Sequence, residues 1–216
     1  MTKRHRPIAA AELDARLQAD PEFRARRKER DLALAERAAR LREEQAPIVA
    51  ELRNAGINVD RLADLIMRSV PYPAAIPVLL KHLVLPYSDP TLETLGRILA
   101  VPDARYAWPI LVAEYRRAPI ADENGVRRRG AKDGLAVALA ATVTRSTIDE
   151  LIALAKDRSH GASRLLLLRA LRKSGSASVK QAIEELSTDP DLAKEIASWR
   201  KRSARRSTPP KSYRLH

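Results

Sequence analysis

The side chains in this chain best placed to do chemistry are arginines and lysines, and their spacing suits holding anions rather than breaking bonds. Arg169, Arg172 and Lys173 stand three and four residues apart, which puts them on one face of a helix. Arg97 precedes Leu99 by two residues, as Arg169 precedes Leu171, so helices in register would align the two guanidinium groups into a discontinuous strip. Arg127, Arg128 and Arg129 form a separate triplet, and Arg200, Lys201, Arg202, Arg205 and Arg206 crowd the C-terminal end. Rows of cations hold the carboxylates or phosphates of a partner. The competing reading is an ordinary solvated surface.

Residues for covalent or acid–base catalysis are sparse. His82 and His160 each lack a second histidine or carboxylate at metal-ligand spacing, and the expectation for both is a capping or solvent-exposed role. Ser159 and His160 are neighbours in a turn, where hydroxyl and imidazole do not face one another. No glycine-rich phosphate loop, Gly-x-Ser-x-Gly or His-Glu-x-x-His occurs in the sequence. Cysteine is absent, which excludes disulfides and thiolate metal sites. The expectation is a chain with no catalytic residues, no metal and no cofactor.

The formal charge of +13 is unevenly distributed. Of 40 basic residues, seven lie in 200–216 with no acid among them, leaving 33 against 27 acidic, or +6, for everything before. The body is therefore mildly basic and the tail strongly so. Sixteen residues of basic, Ser- and Pro-rich composition, 201–216, cannot bury apolar surface and are expected to be disordered. The first residues are charged throughout and lack an apolar core segment, which argues against a signal peptide; no apolar run of about 18 residues is present. A cytoplasmic location with no membrane contact is the expectation, with nucleic acid able to meet the basic tail.

The elements that must position these cations are helical. With 45% apolar residues, rich in Ala and Leu and poor in β-branched runs, the chain can bury a core built of helices. Ala9 to Asp20 shows a short helical pattern, and Asp20-Pro21 opens a long segment reaching Asn54, with Asp20 as N-cap and Pro47 as a point of kinking or division. Its apolar stripe begins at Leu34 and runs through Ala38, Leu41, Ile48 and Leu52, while Arg24, Arg27 and Asp31 continue the stripe backwards as charge. The first half thus reads as a solvated arm. Thr147 and Glu150 have the spacing of a capping box, and Gly161 lies in a turn before a leucine-rich helix, Ala162 to Lys173, that wants protein on more than one side.

From Pro71 the sequence repeats. First helices begin at Ile76, Trp108, Ile148 and Val179, which are 32, 40 and 31 residues apart, and Leu79, Leu111, Leu151 and Ala182 follow at matching positions. The second helices carry Leu99, Leu139 and Leu171, 40 and 32 apart, so one longer gap appears in both series. Its extra residues, Pro119 to Lys132, form a loop that projects from one unit. Asp189-Pro190 opens a closing helix.

This pattern over about residues 71–200 resembles HEAT-like repeats, with Pro77 and Pro109 inside first helices as in that class. The resemblance implies an all-α fold: a HEAT-like helical-hairpin solenoid over 55–200, an N-terminal helical arm over 1–54 and a disordered basic tail over 201–216. It implies a non-catalytic scaffold whose concave surface, lined by second helices, takes a protein partner at Arg97, Arg127, Arg128, Arg129, Arg169, Arg172 and Lys173. The alternative it offers is a nucleic-acid-binding protein of DNA-glycosylase type, since some members use aromatic residues and a carboxylate against damaged bases. Trp108 holds a repeated apolar position and Asp103 and Asp133 sit where caps are expected, so no glycosylase residue carries over. Because the repeat register rests on Leu151, replacing it with Ala should lower stability by about 2–5 kcal/mol, and an unchanged melting temperature would refute the register there.

Overall fold

The computed structural model describes residues 9–120 and 130–207, the last five of these as backbone alone. The expected loop cations Arg127, Arg128 and Arg129 lie outside the described residues, as do Lys211 and Arg214 of the expected tail. The described residues are helical, with no strand among them. No helix among them is long and apolar enough to cross a membrane. The chain divides into two compact units after Glu44.

The first unit holds α1 (Ala10–Ala19) and the opening part of α2 (Pro21–Asn54). Asp20 separates them as expected, its carboxylate accepting the Glu22 N–H at 2.9 Å. Leu32 and Leu34 are more than half exposed. Ion pairs Arg16–Glu12, Arg27–Asp31 and Arg40–Glu36 lace the surface, each contributing little on an exposed helix. Helix α2 runs unbroken through Pro47, so the proline does not divide it.

The second unit opens with the end of α2, where Ile48 and Leu52 are fully buried. Gln45 Nε2 donates to Thr91 Oγ1 at 3.2 Å, and Lys81 pairs with Glu51 at 2.6 Å. A 3₁₀ turn follows at Leu62–Leu65, with both leucines buried. Then come α3 (Ile76–Leu83), α4 (Asp89–Ile98), α5 (Trp108–Arg117), α6 (Ala131–Thr142), α7 (Ile148–Lys156), α8 (Arg164–Leu171), α9 (Ala177–Leu186) and α10 (Ala193–Ser207). Leu79, Leu111 and Leu151 are each 0% exposed and Ala182 2%, while Leu99, Leu139 and Leu171 are likewise 0%. Equivalent positions of both helix series are therefore buried unit after unit. Helix α4 packs on α6 and α6 on α8, and each also meets its own partner, α5 with α6 and α7 with α8.

The crossing of α4 and α6 is closer than side chains permit. A Cβ on Gly96 would lie 2.6 Å from the Gly134 carbonyl carbon, and one on Gly134 would lie 2.4 Å from the Glu93 carbonyl oxygen. Backbone meets backbone there, which only glycine allows.

Three local expectations are corrected. Thr147 and Glu150 form no capping box: the Thr147 hydroxyl instead accepts the Thr144 N–H at 2.8 Å, and Glu150 turns away to accept Trp108 Nε1 at 2.8 Å. The turn before α8 is a 3₁₀ segment, Arg158–Ser163, in which Gly161 adopts φ 61°, and α8 starts at Arg164 rather than Ala162. Helix α10 continues to Ser207, so the first seven residues of the expected disordered tail are helical.

The glycine crossing yields a prediction opposite in sign to helix propensity. At an open helical site Gly→Ala stabilises by roughly 0.5–1 kcal/mol. Gly96→Ala should instead cost about 1–3 kcal/mol through overpacking, read as a lower urea midpoint.

Candidate anion-binding cleft

Several cations of the second unit are already neutralised by their neighbours. Arg97 lies 2.9 Å from Glu93, one turn away on α4. Arg169 reaches Glu195 of α10 at 3.2 Å, and the Arg172 guanidinium sits 5.1 Å from the centre of the Trp199 ring. The cation strip expected from the sequence is thus not a free one: Arg97 and Arg169 face their own carboxylates, and Arg172 covers an indole. Arg200 pairs with Glu184. Lys201 and Arg202 are exposed on α10, and Arg205 and Arg206 fall on its backbone-only end.

Lys173 is different, and the structure brings it together with two arginines that the sequence reading did not select. Arg105, Arg145 and Lys173 line one cleft of about 1050 Å³, and none of the three has an acidic partner among the described residues. Arg105 comes from a 3₁₀ segment, Pro102–Ala107, ahead of α5; Arg145 comes from the turn between α6 and α7; Lys173 follows α8. Val143, Ile148 and Ala170 supply an apolar wall, and Ser174, Ser176 and Ser178 a hydroxyl edge. One carboxylate, Asp149, also lines the cleft and leaves a local excess of two positive charges. The first turn of α9 opens there, its Ser176 cap accepting the Val179 N–H at 3.3 Å. The arrangement can hold a ligand that is anionic on one side and apolar on the other.

A signal for the two missed arginines exists in the repeat. Arg105 stands three residues before Trp108, and Arg145 three before Ile148, so both occupy the same inter-repeat register. That turn position supplies two of the three cations of the cleft, and the end of a second helix supplies the third.

A second groove, about 430 Å³ in volume, lies between α3, α4, α5 and α6 and is lined by Leu83, Leu85, Leu92, Pro119 and Leu135. Its charged groups, Glu114 and Arg117, pair with each other. It offers no unpaired charge to orient a ligand.

Polar side chains also cluster inside the protein, where they build structure. His160 is 5% exposed and His82 3%, correcting the expectation that both face solvent or cap helices. His82 Nδ1 meets the Tyr87 hydroxyl at 2.8 Å, and its Nε2 lies 3.3 Å from Glu51. The His160 ring lies 4.7 Å from that of Tyr115, whose hydroxyl meets Ser163 Oγ at 2.7 Å. Lys132 Nζ donates to the Tyr115 and Ala118 carbonyls at 2.8 and 2.7 Å, capping the end of α5. Burial pushes the Tyr115 hydroxyl up to about 12 and lowers Lys132 from its ordinary value. Trp108 is 5% exposed, so the sequence placement of this indole in the core holds; Trp199, at 6%, is buried as well. Comparison with protein-family models, with curated proteins and with solved structures returns no match.

His160 makes the cluster sensitive to acid. Burial lowers its pKa from the usual 6.5, Lys132, Arg116 and Arg164 add to that, and Asp157 opposes it. The folded state then binds the proton less readily than the unfolded chain, so stability falls as pH drops below about 6.5 toward the depressed value. Buried carboxylates such as Asp189, held low chiefly by hydrogen bonds from Arg164, contribute their own loss only below the usual 3.8. Urea midpoints measured from pH 7 to pH 5 should decline in the wild type and flatten in His160→Gln.

Proposed function

We propose that this chain is a non-catalytic binding protein, a HEAT-like helical-hairpin solenoid that holds an acidic segment of a protein partner in the cleft of Arg105, Arg145 and Lys173. The single observation that carries the reading is the contrast in pairing: Arg97 and Arg169 face carboxylates of their own chain, whereas these three converge on one cleft without partners among the described residues. Cations left without counter-charge repel one another and cost stability, so their convergence favours a counter-charge that arrives from outside. The apolar wall of Val143, Ile148 and Ala170 suits a segment that also brings aliphatic side chains. The stacking of α4, α6 and α8, with equivalent leucines buried in each unit, supports the solenoid reading. Reading the chain as a glycosylase finds less support. Trp108 Nε1 is bonded to Glu150 and Trp199 Nε1 to Glu195, and both rings are buried, which leaves neither to stack on a base.

A labelled amphipathic peptide with alternating Glu and Leu is the direct probe. Reversing Arg105 and Arg145 together to Glu should weaken its binding by at least about tenfold, because like charges then face the ligand. The melting temperature should hold, since both side chains are exposed and unpaired. Equal binding by wild type and variant would refute the assignment of the cleft.

A further inference from the structure

Helix α10 carries the densest positive charge of the chain on a rigid mount. Its inner side is docked by Leu192, Ile196 and Trp199, four and three residues apart and 0%, 1% and 6% exposed. Glu195 accepts Trp199 Nε1 at 3.0 Å and Arg169 Nε at 3.2 Å, and Arg172 lies over the same indole. One carboxylate, one indole and two guanidinium groups thus clamp α10 to α8. Glu195 is also the only acid between Ala193 and His216, where the sequence has eight lysines and arginines. Its carboxylate faces Trp199 and Arg169 and also attracts Arg202.

The outer side is left with cations. Lys194 and Lys201 are two turns apart and lie opposite Ile196 and Trp199 around the helix, while Arg202, three residues after Trp199, stands at the edge of the docked side. Lys194 and Lys201 have no acidic partner among the described residues, and Arg202 meets the Ser198 hydroxyl at 3.0 Å. Two turns span about 10.5 Å, a distance over which duplex nucleic acid presents several phosphates. Among the described side chains only the small Ala197 accompanies Lys194 and Lys201 on this side, too short to insert into a lipid surface and offering no ring on which an unstacked base could rest. What remains is contact with a regular row of phosphates.

We propose that the outer face of α10 is a sequence-independent contact for the phosphate backbone of duplex nucleic acid, separate from the cleft that takes an acidic protein segment. The order of the helix matters to this assignment. A disordered run of the same charges would attract any polyanion, whereas a docked helix holds its cations at fixed spacing and avoids the cost of ordering them on binding.

The test uses the full chain and a labelled 20-base-pair duplex of mixed sequence, with affinity measured by fluorescence anisotropy across a series of salt concentrations. Lys194→Ala with Lys201→Ala should shallow the plot of log affinity against log salt by roughly two, if each cation meets one phosphate. Ser203→Pro keeps every charge but breaks the helix beyond Trp199, and it should weaken duplex binding several-fold while the melting temperature of the body stays put. Arg105→Glu with Arg145→Glu should leave duplex binding in place, which separates this site from the cleft. The proposal fails if the double alanine variant keeps the wild-type slope. It fails equally if Ser203→Pro binds the duplex as tightly as wild type. It also fails if polyglutamate or phosphatidylserine vesicles of equal total charge compete as well as unlabelled duplex, since the surface would then be a general polyanion binder.

Discussion

The tightest constraint in the second unit is the contact between two stretches of backbone. Where α4 crosses α6, Gly96 and Gly134 bring main chain within reach of main chain, so the separation of these helices is set by peptide groups. Rows of side chains normally hold helix axes 8–10 Å apart; removing two Cβ atoms closes that gap and fixes the pair. Everything later in the chain inherits the placement. Helix α6 is the element on which both α5 and α8 lean, and α8 in turn supports α7. The turns that offer Arg105, Arg145 and Lys173 are the ends of these same elements, so the cleft geometry depends on a crossing that contains none of its residues.

The last repeat is held by a different device. Arg164 is 1% exposed and forms a two-toothed pair with Asp189, at 3.0 and 3.2 Å, while also reaching Asp191 at 2.9 Å and the Ala155 and Gly161 carbonyls. Arg158 adds a further contact to Asp189 at 3.2 Å. Stripping water from such a pair is costly, and the interior repays it only when geometry is good and the remaining donors are satisfied. Here they are shared among carboxylates and carbonyls from three directions. The pair therefore acts more as a locator than as a source of net stability: it dictates where the turn after α9 must sit, and hence where α10 begins.

How much of this was legible in the sequence follows from what each feature depends on. Helix positions and the buried register of Leu79, Leu111, Leu151, Leu99, Leu139 and Leu171 were legible, because apolar periodicity is a local property repeated several times. The unusual Gly161 backbone was legible because a glycine in a polar turn is itself a local signal. The capping box at Thr147 was not, because its Glu150 is claimed by Trp108 and Arg116, which arrive from 42 and 34 residues away. His160 looked exposed because its neighbours in sequence are polar, yet it packs against Tyr115, a residue from an earlier repeat. The helical start of the tail escaped composition-based reasoning because Trp199 and Ile196 anchor the helix from before Arg200. For the cleft, only Lys173 among its three cations was foreseen. Whether an arginine is free depends on which acids the fold brings near it, as Glu93 does for Arg97 and Glu195 for Arg169, and pairing across the fold is what a one-dimensional reading misses.

Lys132 also has a topological role. Its ammonium grips the carbonyls of Tyr115 and Ala118, and next to it the Ala131 N–H donates to Asp89 at 2.9 Å. The two feet of the segment between Pro119 and Gly130 are thereby pinned to one another and to α4, independently of what the segment contains. Once the feet are fixed, doubling the length between them costs only about 0.6 kcal/mol. This position is thus a socket in the framework, where a reporter peptide, an affinity handle or a whole small domain could be spliced in while the helices on either side keep their seats.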